Sequence, residues 1–251
     1  MTTVRIIVIL IVCTFCLGCS NATKFPANQF LLHTNGPISI DVESFAGDVN
    51  ITADEDYQGT SVSVVKETMQ GTFLDSINCN IFARNTEIGE EVVVQISTEK
   101  NELRSMRANI SIFTKYVDDV RIKTRDGNVT LRNVSGPLNI HTTDGDVLVA
   151  TTVPITDSVS IENHRGNIVV LAPEESTGNI DISAIGGRTS LNVLTGNTTV
   201  LPGSTRDHMM AIVNHGRNNI ALRTVDGNAS FEILKNPMVP RSLWNFDWLS
   251  F

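Results

Sequence analysis

Apolar and polar residues alternate along much of the chain, and the alternation restarts again and again at a glycine. Gly127-Asn128 is followed by Val129-Thr130-Leu131, Gly145-Asp146 by Val147-Leu148-Val149, and Gly166-Asn167 by Ile168-Val169-Val170. Shorter echoes begin at Gly136, Gly178, Gly187, Gly196 and Gly227. An apolar residue at every second position gives a strand with one face in a core and the other in water. Glycine before each run permits the positive φ of a tight corner, and Asn or Asp tolerates the strained geometry beside it. Each unit therefore reads as corner, short strand, corner.

The spacing turns these units into an architecture. Gly127, Gly136 and Gly145 are 9 residues apart, and the steps from Gly145 to Gly166 and from Gly166 to Gly187 are each 21 residues. A period of about 20 residues with half-repeats describes coils stacked in a solenoid. Three units share a longer signature: Thr124-Arg125-Asp126-Gly127, Thr142-Thr143-Asp144-Gly145 and Thr224-Val225-Asp226-Gly227. One coil alone orders about 20 residues at roughly 1–2 kcal/mol each. Its four or so inward aliphatic side chains return only about 1.5–3 kcal/mol each, so stability must come from neighbouring coils. The expectation is an all-β chain whose residues 119–235 form a right-handed parallel β-solenoid (β-helix). Five or six coils at about 4.8 Å per step would make a rod roughly 25 Å long. An antiparallel sandwich or meander would also give short strands and frequent turns. The recurrence of glycine at one place in each unit favours the solenoid.

Before this region the pattern starts and then breaks. Gly36-Pro37-Ile38-Ser39-Ile40 and Gly47-Asp48-Val49-Asn50-Ile51 repeat the motif 11 residues apart. Further strands are expected at Ser61–Val64, Val92–Ile96 and Asn109–Phe113, separated by charged stretches around 87–91 and 99–107. Residues 31–118 thus read as a β-rich N-terminal section holding the first repeats, with antiparallel strands capping the first coil. At the other end, residues 236–251 carry both tryptophans. Trp244, Trp248 and Phe251 would share one face of a short helix and seal the open end as an aromatic cap. The competing reading exposes them to a membrane or a partner.

The first 18 residues read as a signal peptide, with Arg5 followed by an apolar run from Ile6 to Leu17. Leu17-Gly18-Cys19-Ser20 resembles a bacterial lipobox, which implies cleavage before Cys19 and lipidation of its thiol. Cys16 stands where that motif usually has leucine. Cleavage after Ala22 and an uncleaved membrane anchor are the alternatives. Residues 19–30 are polar and aperiodic and read as a tether. Cys79 is then the one cysteine left in the body, so no intrachain disulfide is expected. It alternates with Ile77 and Ile81 and reads as an inert thiol on an apolar face.

The strand-rich start, the stretch Val120-Arg121-Ile122-Lys123-Thr124, and the serial Thr-x-Asp-Gly and Gly-x-Val-x-Val units resemble a bacterial adhesin-type family of β-strand repeats, a domain of unknown function. The likeness covers roughly residues 36–233. The family is similar in pattern to adhesin head domains with right-handed β-helices. The resemblance implies a protein of the bacterial cell envelope and supplies no catalytic residues.

Composition narrows the functional classes. A formal charge of −8, with 19 Lys and Arg in 251 residues, gives no basic footprint for nucleic acid. Aromatic residues are only 6%, which suits a narrow bore filled by Val, Ile, Leu and Thr. No Gly-x-Ser-x-Gly, His-Glu-x-x-His, P-loop or mature Cys-x-x-Cys motif is present. His164 and His215 sit in similar contexts, Asn-His-Arg-Gly and Asn-His-Gly, and stacked corners could make them metal ligands. Solvated polar corners are favoured for these two; the other histidines are His33, His141 and His208. Asp126, Asp144 and Asp226 lack the further oxygens of a calcium loop, and with Gly127, Gly145, Gly166, Gly187 and Gly227 they read as structural turn residues. Seven Asn-x-Ser/Thr sequons occur, and most of them follow from the repeat itself. The expected protein is a non-catalytic envelope lipoprotein, attached to a membrane through Cys19. It would present a polar Thr- and Asn-rich face to a glycan or protein partner, with no cofactor, metal or nucleic acid. The alternatives are a carbohydrate-active β-helix enzyme, with Asp126, Asp144, Arg125 and Arg165 as its candidate charges, and a purely structural envelope component.

Overall fold

Strand forms wherever the alternation runs, because each strand has an aliphatic face to bury and a polar face to leave in water. The computed structural model describes residues 23–24, 28–34, 36–68, 76–87, 89–98 and 106–238. The N-terminal section supplies β1 (Thr23–Lys24), β2 (Asn28–Leu32), β3 (Ile38–Ser44), β4 (Val49–Ala53), β5 (Thr60–Thr68), β6 (Ile77–Thr86), β7 (Gly89–Thr98) and β8 (Met106–Thr114). The repeats supply β9 (Val117–Thr124), β10 (Val129–Arg132), β11 (Leu138–Asp144), β12 (Val147–Ala150), β13 (Val159–Arg165) and β14 (Ile168–Ala172). They end with β15 (Gly178–Ala184), β16 (Thr189–Val193), β17 (Thr198–Val200), β18 (His208–Val213), β19 (Asn219–Asp226) and β20 (Ala229–Ile233). The described residues contain no α-helix.

The strands build two large mixed sheets. Sheet A runs β1-β5-β8-β4-β10-β12-β14-β20-β16, with β2 also on β5, and sheet B runs β17-β18-β15-β19-β13-β11-β9-β3-β7-β6. The ladders from β8 to β16 and from β7 to β15 pair parallel. The outer pairs are antiparallel: β5 on β8, β1 and β2 on β5, β6 on β7, β18 on β15 and β17 on β18. A sandwich of antiparallel sheets would account only for these outer pairs.

Each strand of sheet B in the parallel region is followed by one of sheet A, so the two make a coil. Seven coils stack in the order β7–β8, β3–β4, β9–β10, β11–β12, β13–β14, β19–β20, β15–β16. At about 4.8 Å per step the stack is roughly 29 Å long, slightly more than expected. The coils do not stack in the order of the chain. The first coil of the chain lies second in the stack, and the last lies second from its other end. Apolar bulk explains the second insertion. β20 buries Ala229, Phe231 and Ile233 completely, whereas every residue of β16 stays half-exposed. A position walled on both sides rewards the more apolar coil, and the poorer one is left at the end.

Two rows of inward side chains run through each sheet. In sheet B one row is Val94, Val42, Ile122, Ile140, Ile161, Leu222 and Ile182. In sheet A one row is Ile112, Ile51, Leu131, Val149, Val170, Phe231 and Leu191. These rows meet in one continuous core. A second cluster lies on the outer face of sheet A, where Leu234 and Met238 pack against Leu148, Ala150, Val169 and Leu171.

Several expectations concern residues near or beyond the described ones. Strand begins inside the stretch read as a tether, since Thr23–Lys24 and Asn28–Leu32 pair with β5. The signal peptide, Cys19 and the aromatic cap of Trp244, Trp248 and Phe251 lie outside the described residues. Cys79 on β6 is half-buried rather than fully enclosed, with its thiol pushed up by burial.

Candidate functional site

The corner leading from sheet B to sheet A is built from backbone that stacks on itself. A Cβ at Gly127 would meet the Gly47 carbonyl oxygen at 2.2 Å, one at Gly145 the Gly127 oxygen at 2.3 Å, and one at Gly166 the Gly145 oxygen at 2.2 Å. The series continues with Gly227 on Gly166 at 2.0 Å and Gly187 on Gly227 at 1.9 Å. Gly227 thus stands between Gly166 and Gly187, the corner-level trace of the inserted coil. The residue after each glycine adds a side-chain ladder. Asp48 N donates to Asn109 Oδ1, Asn128 N to Asp48 Oδ1, and Asp146 N to Asn128 Oδ1, each at 2.9 Å. Asn167 N donates to Asp146 Oδ1 at 2.7 Å, Asn228 N to Asn167 Oδ1 at 3.0 Å, and Arg188 N to Asn228 Oδ1 at 3.0 Å. This edge is tight and repetitive, and its groups are spent on one another.

The threonine of the Thr-x-Asp-Gly signature points inward. Thr142 Oγ1 donates to the Asp144 carbonyl at 3.3 Å and Thr224 Oγ1 to the Gly166 carbonyl at 2.9 Å, while Asn163 Nδ2 donates to Gly145 at 2.7 Å. The aspartates form a surface row in which Asp126 aligns with Asp144, Asp144 with Arg165, and Arg165 with Asp226. Arg165 pairs with Asp144, and Arg107 reaches Asp126 at 3.1 Å, so guanidinium groups balance the carboxylates. The hydrogen bond that Arg165 donates to Asp144, with the charge of Asp144 and the field of Asp226 and Asp126, holds Arg165 more firmly charged than usual. His164 lies on β13 and His215 in the turn after β18, so their similar contexts do not place them on equivalent elements. No group of three His, Cys, Asp or Glu suited to a metal occurs among the described residues.

The outer face of sheet B is different. Neighbouring strands there carry a series of polar and charged side chains: His141 Nδ1 lies 3.6 Å from Glu162 Oε2, and Arg223 reaches Glu162 and Asp181 at 3.7 Å each. His208 Nε2 lies 2.8 Å from Asp181 Oδ1. All five side chains are substantially exposed. Exposed pairs of this kind contribute about 0–1 kcal/mol each, so the fold does not depend on them and they are free to exchange partners. They border a groove of about 430 Å³ lined by His141, Glu162, His164, Ser183, Ile185 and Arg223, with Ile185 72% exposed. Further along the same sheet, Glu91 is nearly buried between Arg84 at 2.5 Å and Arg121 at 3.4 Å. Burial, and then the charge of Glu91, push the Asp41 carboxyl above the ordinary carboxylate range.

The sequence reading singled out the tight edge and passed over this face. A signal was available: His141, Glu162 and Arg223 each follow the aliphatic residue of one core row, Ile140, Ile161 and Leu222. Locating them needs the coil order, because Arg223 is brought beside Glu162 only by the inserted coil.

The comparisons with known proteins concern the whole body. The model of the family described as Toastrack DUF4097 matches residues 24–232. The structure of a "putative cell adhesion protein" from Clostridium sporogenes superposes with a TM-score of 0.62 at 13% identity, covering 83% of this chain and 99% of that one. A "putative adhesin" from Bacteroides fragilis matches at 12% identity over 83% of this chain and 97% of its own, with a TM-score of 0.31. No curated protein matches the chain.

Proposed function

Since this chain belongs to the Toastrack DUF4097 family, a domain of unknown function, we propose that it is a non-catalytic, adhesin-like module of the bacterial cell envelope. It presents the outer face of sheet B to a glycan or protein partner. The observation that carries this reading is the run of exposed polar and charged side chains from His141 through Glu162, Arg223 and Asp181 to His208, beside a groove with an exposed isoleucine. These groups add little to stability, can donate and accept, and sit on a rigid sheet, which suits recognition. The reading includes a right-handed winding of the coils, the hand that strand–crossover–strand connections take in general.

It also includes export and anchoring through Cys19, where several acyl chains would hold the protein stably to a membrane. Labelled palmitate should enter the full chain and be absent from Cys19→Ala; label that persists in the variant removes the anchor from the reading. Binding is tested by screening the full chain on glycan and protein arrays and repeating the hits with Arg223→Ala. An interface arginine of this kind should cost about tenfold in affinity with an unchanged thermal midpoint. If none of the hits responds to Arg223→Ala, the outer face of sheet B is not the recognition surface, and turnover of a bound glycan would make the protein a carbohydrate-active enzyme.

A further inference from the structure

The two edges of the stack differ in kind. From sheet B to sheet A the corners are the glycine and Asx ladders. From sheet A back to sheet B the connections vary: Lys115–Tyr116 between β8 and β9, then residues 133–137, 151–158 and 173–177. In repeat proteins, insertions gather on one face, and ligands are held by variable loops on a rigid scaffold.

On this variable edge the loops enclose two adjoining grooves, of about 360 Å³ and 270 Å³, that share Lys115 and Tyr116. Of the two tyrosines of the chain, Tyr116 lines both grooves. Tyr116 is 41% exposed, and the ring of Tyr57 lies 6.3 Å from that of Phe113, itself 45% exposed. Lys115 Nζ stands 5.3 Å from the centre of the Tyr116 ring, over one face. The larger groove adds Asp54, Glu55, Asn133, Ser135, Thr152 and an exposed Val153. Its walls are held in place. Asn133 takes a left-handed φ of 53°, and its Oδ1 accepts from Thr152 N at 3.2 Å and Thr152 Oγ1 at 3.1 Å, leaving its amide N–H groups as donors. Asp54 N donates to the Thr114 carbonyl at 2.9 Å, and Asp54 Oδ1 accepts from Asp56 N at 3.0 Å.

We propose that the Tyr116 corner is a saccharide subsite. The exposed part of the Tyr116 ring covers the C–H face of a sugar ring, and Glu55, Lys115 and Asn133 take its hydroxyl groups. The chemistry of the lining selects this class. Donors and acceptors mix around an exposed ring, which matches a ligand whose every hydroxyl does both. The carboxylates of Asp54 and Glu55 beside one ammonium do not suit an anion. A shallow groove with one ring and one valine lacks the deep apolar pocket of a lipid site, and no strand edge lines it to bind an extended peptide. The inference rests on the binding-module reading above but places the sugar on a different surface from the sheet B groove.

The test is an array of neutral and N-acetylated oligosaccharides probed with the full chain, followed by calorimetric titration of the hits. Tyr116→Ala should weaken binding by about tenfold, Tyr116→Phe should keep it within about threefold, and Arg223→Ala should leave it unchanged. Glu55→Gln, at an exposed position, should weaken it several-fold and covers the case in which Tyr116→Ala fails to fold. An array without saccharide hits, or hits indifferent to both Tyr116→Ala and Glu55→Gln, overturns the subsite. Saccharide binding lost in Arg223→Ala also overturns it, while leaving the sheet B reading standing. Protein ligands bound through Arg223 with no saccharide hit would likewise sink the subsite alone.

Discussion

At the scale of single residues, the glycines of the tight edge are required for two separable reasons. Gly145 has a φ of +117° and would place a Cβ 2.3 Å from the Gly127 carbonyl oxygen, so conformation and space both forbid a side chain. Gly187 has no left-handed φ, yet its Cβ would fall 1.9 Å from the Gly227 oxygen, so space alone forbids it. We predict that Gly145→Val and Gly187→Ala each lower stability by about 1–3 kcal/mol in urea unfolding. Gly36→Ala, with nothing within 4 Å, should stay within about 0.5 kcal/mol of the parent. Equal behaviour of Gly187→Ala and Gly36→Ala would refute the close approach. Asp41 gives a prediction in pH. Its raised pKa means that the folded chain binds this proton more tightly than the unfolded one. That stabilisation is full below the ordinary carboxylate pKa and is lost as pH rises through the raised value. Asp41→Asn should therefore raise the thermal midpoint at neutral pH, and the gain should disappear below about pH 3. A lower midpoint at pH 7 would show that Arg84 and Arg121 outweigh burial and Glu91.

At the scale of elements, position in the stack governs stability more than position in the chain. Truncating Phe231 in the inserted β20 should cost about 3–5 kcal/mol, and truncating Leu191 in the terminal β16 clearly less, because one side of that coil has no parallel neighbour. Amide exchange should find β3 and β20 among the slowest strands and β16 and β17 among the fastest. Rapid exchange in β3 would contradict the coil order. The elements themselves were legible in the sequence, since the alternation after Gly127, Gly145 and Gly166 marks β10, β12 and β14 directly. So was the corner, through Thr-x-Asp-Gly. The stacking order was not, because periodicity records where a coil occurs in the chain and not which coil it touches. Even so, the uneven glycine spacing carried information. The step from Gly127 to Gly145 is 18 residues and the next is 21, and the difference lies in the connections of the variable edge, where 151–158 is longer than 133–137. Tyr116 was illegible for a related reason: it stands in the shortest of those connections, between β8 and β9, where no repeat motif points to it.

At the scale of the whole molecule, the stack brings the sheet B rungs into line, and the inserted coil sets Arg223 directly beside Glu162. The two inserted coils also have a mechanical meaning. In an ordinary solenoid, a pull on a terminus peels the end coil away, one ladder at a time. Here a pull from the N-terminal side, once β1 and β2 have come off β5, reaches β3, which is bonded to β7 on one edge and β9 on the other. A pull from the C-terminal side, beyond Leu234 and Met238, reaches β20, clamped between β14 and β16. Either force must break two parallel ladders together and drag a full coil out between its neighbours. Strands β3 and β20 are thus fastened within the rod, and a load that reaches either one is shared by coils on both sides before any of them lets go.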